Sequence, residues 1–139
     1  MNWIIFALGA IGAGAISDLF RKLGSNLKDP FFSNVIFQGG SFAMALILYF
    51  LFSRKLEGNP HGMLYALIGG ILISVFTTFS FKALADGPNV STVIPVIRIG
   101  VVLLVVILGV LLFKDKLTWN IVFGILLATS GVYLLSLNK

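Results

Sequence analysis

A single arginine, Arg98, stands in the most apolar stretch of the chain, Val90 to Phe113, which contains no acidic residue. A guanidinium stays charged and presents a planar fork of donors, so its chemistry is recognition of a carboxylate or phosphate. Pro95, three residues earlier, has no amide proton and crowds the preceding turn, which marks a hinge beside that charge. Asp18 is the acid of the first apolar run, where Gly14, Asp18 and Arg21 follow an i, i+4, i+7 stripe with Ser17 beside it. It either pairs with Arg21 or Lys22 near an interface or faces a central cavity. Asn34, Gln38 and Ser41 repeat that spacing in the second run, next to Gly39 and Gly40. Such an amide ridge either bonds a neighbouring helix or forms a wall for a solute. Ser74, Thr77, Thr78 and Phe81 share a face of the third run, where hydroxyls commonly bond a carbonyl one turn back. The candidate binding residues are therefore Arg98, Asn34, Gln38, Ser41, Asp18 and Thr77, with Pro95 as hinge.

No nucleophile–base pair, metal cluster or phosphate-binding loop is legible, so the expectation is a non-enzyme without cofactor. His61 is the only histidine and there is no cysteine.

The elements that must position these residues are membrane helices. Of 139 residues, 58% are hydrophobic and only 11% charged, where a soluble domain carries about 25% charged residues. The mean hydropathy is +1.05. The run around Arg98 would form a helix about 36 Å long, enough to cross a bilayer, with Arg98 about 12 Å from its start. A charge at that depth costs at least roughly 2.5–3.5 kcal/mol, so it marks a pathway unless it pairs with Asp18 or snorkels to an interface. The pattern predicts an all-α membrane protein with five spans, at about 3–22, 30–52, 61–85, 90–113 and 119–137, in one domain over 1–139. Asp29-Pro30 and Asn59-Pro60 are cap-then-proline starts, Gly87-Pro88 is a stop, and Thr118 caps the last helix. The first run lacks a basic leader and a small-residue cleavage site, so it reads as a retained helix. In the last helix, Gly124, Ala128 and Gly131 make a small-residue face suited to packing or dimerisation.

The net charge of +5 does not suggest nucleic acid, because the basic residues sit singly or in pairs at the ends of apolar runs. With five spans, one side holds Arg54, Lys55, Lys114 and Lys116. The other holds Arg21, Lys22, Lys28, Lys82 and Lys139. Four against five is nearly no bias for the positive-inside rule to act on. The chain either inserts both ways or takes its orientation from a partner. Dual insertion would build antiparallel dimers with an axis in the membrane plane, the inverted-repeat plan of many transporters.

Three stretches carry a resemblance. Gly87-Pro-Asn-Val-Ser-Thr-Val-Ile-Pro-Val, Leu111-Leu-Phe-Lys-Asp-Lys-Leu-Thr and Gly124-Ile-Leu-Leu-Ala-Thr-Ser-Gly-Val-Tyr-Leu-Leu resemble the end of an EamA-type domain of the drug/metabolite transporter superfamily. The resemblance is carried by residues 82–137 and extends to the rest by span count. It implies half of a ten-helix inverted-repeat transporter, with helices around a central cavity and alternating access for small solutes. It also implies that the last helix, with Gly124, Ala128 and Gly131, lies between halves. The start, Met1-Asn-Trp-Ile-Ile-Phe, with Leu19-Phe-Arg-Lys, is similar to the small multidrug resistance transporters. Their essential first-helix glutamate falls on Gly14 here, which argues against proton-coupled cation export unless Asp18, one turn further along the same face but shallower, substitutes; the like charge of Arg98 argues against it too.

The expectation is an integral protein of the cell (inner) membrane in contact with lipid. It would act as a secondary transporter of an anionic or zwitterionic solute, as an antiparallel homodimer. A flippase subunit for a lipid-linked sugar or phospholipid, with Arg98 on a lipid phosphate, is the alternative. A non-transport accessory subunit packing through the last helix is another.

Overall fold

The computed structural model describes residues 3–27, 29–53 and 58–137. Lys28, Arg54, Lys55 and Lys139, which enter the charge count above, lie outside the described residues. Five helices follow one another: α1 Trp3–Gly24, α2 Pro30–Phe52, α3 Pro60–Asp86, α4 Val90–Phe113 and α5 Trp119–Leu137. No strand occurs among the described residues. The chain divides into two compact units, Met1–Ala85 and Asp86–Lys139.

The helix ends follow from local chemistry. Asp29 is extended (φ −121°, ψ 110°) and its carboxylate accepts the Phe31 amide, with Pro30 in the first turn, where no amide proton is needed. Asn59 opens α3 in the same way, accepting the His61 amide at 3.0 Å. The Thr118 carbonyl accepts the first amides of α5, from Ile121 at 3.0 Å and Val122 at 3.2 Å. α4 is continuous through Pro95 and closes at Lys114, whose backbone is left-handed (φ 56°, ψ 35°). The amides of Lys114 and Asp115 both turn back onto the Gly109 carbonyl.

Among the described residues, four helices, α1 to α4, are long and apolar enough to cross a membrane. α5 has 19 residues, about 28 Å of helix against a hydrocarbon core of roughly 30 Å.

Burial is inverted relative to a water-soluble domain. Among the described residues, only Phe81 and Leu84 are buried large apolar side chains, whereas Asp18, Arg21, Ser25, Ser33, Asn34, Thr77 and Ser80 are buried polar ones. Leucine, isoleucine and phenylalanine cover the outside of every helix. Large exposed apolar surfaces are disfavoured in water, and lipid cannot satisfy polar groups, so this pattern is that of a chain whose solvent is hydrocarbon.

Candidate polar cluster inside the first unit

The buried polar residues of α1, α2 and α3 meet inside the first unit. The Asp18–Arg21 stripe on α1 is one turn of one helix face, and the two side chains pair at 3.2 Å. Both residues are 6% exposed. The Arg21 guanidinium lies 5.1 Å from the centroid of the Phe37 ring on α2 and 6.0 Å from that of Phe81 on α3. The two rings meet edge to face, with centroids 5.6 Å apart. A cation against aromatic faces within about 6 Å is attracted by the ring quadrupole, and the attraction grows when water is excluded.

The amide–hydroxyl contacts are made by α2 and α3. Thr77 Oγ1 donates to Asn34 Oδ1 at 2.6 Å, and Asn34 Nδ2 donates to Thr78 Oγ1 at 2.7 Å. Thr77 and Thr78 also reach the Ser74 carbonyl, at 3.0 and 2.9 Å. The Asn34 amide is thus committed to α3. Gln38, one turn along, is half-buried and its Nε2 makes a longer contact to Thr77 Oγ1, at 3.4 Å. Ser41, a further turn along, is exposed and donates to the Phe37 carbonyl of its own helix.

Of the residues singled out in the sequence, the structure therefore joins Asn34, Gln38 and Thr77 directly. It links Asp18 to the rings flanking them through Arg21, and leaves Ser41 outside the contacts. Asp18 pairs with Arg21, and both side chains are buried. Arg98 belongs to the second unit and is exposed on α4. Gly124, Ala128 and Gly131 lie on an exposed face of α5, and a Cβ at Gly124 or Gly131 would meet nothing within 4 Å. Sequence reasoning missed Phe37 and the aromatic role of Phe81. The available signal was that Phe81 lies one turn beyond Thr77 and Phe37 three residues beyond Asn34, so both rings fall beside the polar faces.

Two further ties close this end of the unit. Lys22 Nζ donates to the Leu84 carbonyl of α3 at 2.5 Å, and Ser33 Oγ donates to the Gly24 carbonyl at 3.0 Å. Among the described residues, no group of three or more His, Cys, Asp or Glu side chains is arranged to hold a metal ion.

Comparison with known proteins adds the family. An uncharacterized protein of Methanocaldococcus jannaschii is 27% identical over 112 residues, covering 81% of this chain and 80% of that one. No solved structure matches the chain. The profile of the EamA-like transporter family matches residues 1–137, nearly the whole length and all five helices. This chain, an all-helical membrane protein, belongs to the EamA-like transporter family of the drug/metabolite transporter superfamily.

Proposed function

We propose that the chain is the repeating half of a secondary transporter. Two copies would insert antiparallel in the cell membrane, each contributing five spans, to form a ten-helix assembly with a central cavity and alternating access. The observation that carries this reading is the inverted burial in a chain matched from end to end by a transporter family. Apolar exteriors meet lipid, and a polar interior is retained despite its cost because a solute needs it.

The solute is small and carries a carboxylate or phosphate group, alone or as a zwitterion. Arg98 is the residue that attracts it, since an ionisable side chain within a span marks a pathway by default and its guanidinium presents a planar fork of donors. Gln38, half-buried with its one interhelical bond at 3.4 Å, is the amide of the α2 ridge within a solute's reach. Asn34 and Thr77 hold that ridge against α3, Ser41 extends it, and Asp18 stays with Arg21 as its counter-charge. Pro95, which removes one amide donor from α4, gives the hinge. The face Gly124, Ala128 and Gly131 on α5 makes the contact between copies, where small side chains let backbones approach. The near balance of basic residues on the two sides supports dual insertion.

Flux in proteoliposomes tests the reading. Vesicles holding purified chain are assayed for exchange of radiolabelled amino acids and small organic acids. The expected result is exchange of at least one such solute that Arg98→Ala abolishes. No exchange above protein-free vesicles across the panel contradicts the reading.

A further inference from the structure

The ties between α1 and its neighbours in the first unit are unevenly distributed. Arg21 reaches Phe37 and Phe81, Lys22 donates to the Leu84 carbonyl, and the Gly24 carbonyl accepts from Ser33. A Cβ added at Gly24 would already touch Phe81, at 3.5 Å. All of these fall on residues 21–24, with Asp18 holding Arg21 from one turn before.

The stretch before them is different. From Trp3 to Ile16 every large apolar side chain is more than half exposed, from 52% at Ile4 to 75% at Trp3. A Cβ built on Gly9, Gly12 or Gly14 would meet nothing within 4 Å. Residues 3–16 hold no polar side chain beyond the Trp3 indole that could tie them to α2 or α3, and Ser17 is half-exposed.

We propose that the Asp18–Arg21 pair, framed by Phe37 and Phe81, is a pivot that fastens the end of α1 while residues 3–17 swing against α2 and α3 as a strap. The chemistry suits a pivot. A cation over ring faces keeps its attraction through a range of tilts, whereas a hydrogen bond weakens steeply once it bends. Two rings from two different helices hold the guanidinium from both neighbours, so tilting α1 trades one face for the other. Arg21 is a positioning residue in this scheme, and Asp18 fixes its direction. The inference deepens the alternating-access reading above, because a swinging strap opens and closes the flank of the α2 ridge beyond Gln38.

Spin-label distances test it in the complete chain, which contains no native cysteine. One label pair sits at the fastened end, at Leu23 and Phe31, and a second at the open end, at Ile5 and Phe50. All four positions are exposed. The labelled chain is diluted into unlabelled chain in lipid nanodiscs, so that only distances within one copy are read. The expected result is a single narrow distribution for Leu23–Phe31 and a broad or two-peaked one for Ile5–Phe50. Arg21→Ala should broaden the first pair, and Arg21→Lys, which keeps the charge without the flat guanidinium, should broaden it less.

An Ile5–Phe50 distribution as narrow as that of Leu23–Phe31 in the unsubstituted pivot overturns the proposal, even if Arg21→Ala misfolds. So does a Leu23–Phe31 distribution that Arg21→Ala leaves unchanged. Absent solute exchange with the predicted distances would instead sink the transport reading and leave the pivot standing.

Discussion

Replacing Asn34 with alanine and Thr77 with valine, singly and together, isolates the tie between α2 and α3. Hydrogen bonds between membrane helices contribute about 0.6 kcal/mol on average and up to about 1.7 kcal/mol. Asn34 makes two short ones, to Thr77 at 2.6 Å and to Thr78 at 2.7 Å. Two such bonds span about 1.2–3.4 kcal/mol. The lower half of that range applies, because the Thr77 hydroxyl keeps the Ser74 carbonyl as an alternative acceptor and the Thr78 hydroxyl already donates to it, so neither is stranded. Asn34→Ala should therefore destabilise the fold by about 1–2 kcal/mol. Thr77→Val removes only the shared bond from this pair, so the coupling in the double-mutant cycle should be about 0.6–1.7 kcal/mol. Reversible unfolding in mixed micelles, followed by circular dichroism across a denaturing-detergent titration, reads all four corners of the cycle. A coupling below about 0.3 kcal/mol, the level at which separate sites simply add, would refute the view that Asn34 is spent on helix packing.

Three other outcomes follow from named contacts. Asp29→Ala loses the bond to the Phe31 amide and should cost about 1 kcal/mol in the same titration. Lys114→Gly relieves the left-handed backbone that closes α4 (φ 56°); it should stabilise the chain by about 0.5–1 kcal/mol after the extra entropy of an unfolded glycine, and a loss of stability would show that this residue is held by its side chain instead. Combining Arg98→Glu with Asp18→Arg should fail to restore solute exchange, because Asp18 pairs with Arg21; full rescue in the flux assay would mean that Arg98 and Asp18 are partners.

The helices were legible because their signals are local and redundant. Asp29-Pro30 and Asn59-Pro60 mark starts whose cap bonds form as the residue types require, and Val90–Phe113 has the bounds its apolar run dictates. The polar ridge was legible as the spacing Asn34, Gln38, Ser41: the first two reach Thr77 on α3, and Ser41 bonds its own helix. What spacing does not carry is the partner. Asn34 could as well have faced a cavity, and only the approach of α3 decides that its amide is consumed by Thr77 and Thr78. Arg21 was legible as a member of the α1 stripe yet resembled an interfacial anchor, because a basic residue near a helix end usually snorkels. Its burial depends on two rings 44 residues apart in the sequence, Phe37 and Phe81, and nothing in a hydropathy profile links them. α5 marks the other limit: its small-residue face is plain in the sequence and exposed in this chain, and spacing alone does not say what packs on it.

The central claim, a half-transporter completed by an oppositely inserted copy, is tested most directly by orientation. Single cysteines at Asn2 or Asn138, both outside the described residues, are labelled with a membrane-impermeant maleimide added to intact cells. Labelling of about half of the molecules at each site, rising to all of them once the membrane is opened, is the predicted result. Complete labelling at one position and none at the other would contradict the antiparallel homodimer.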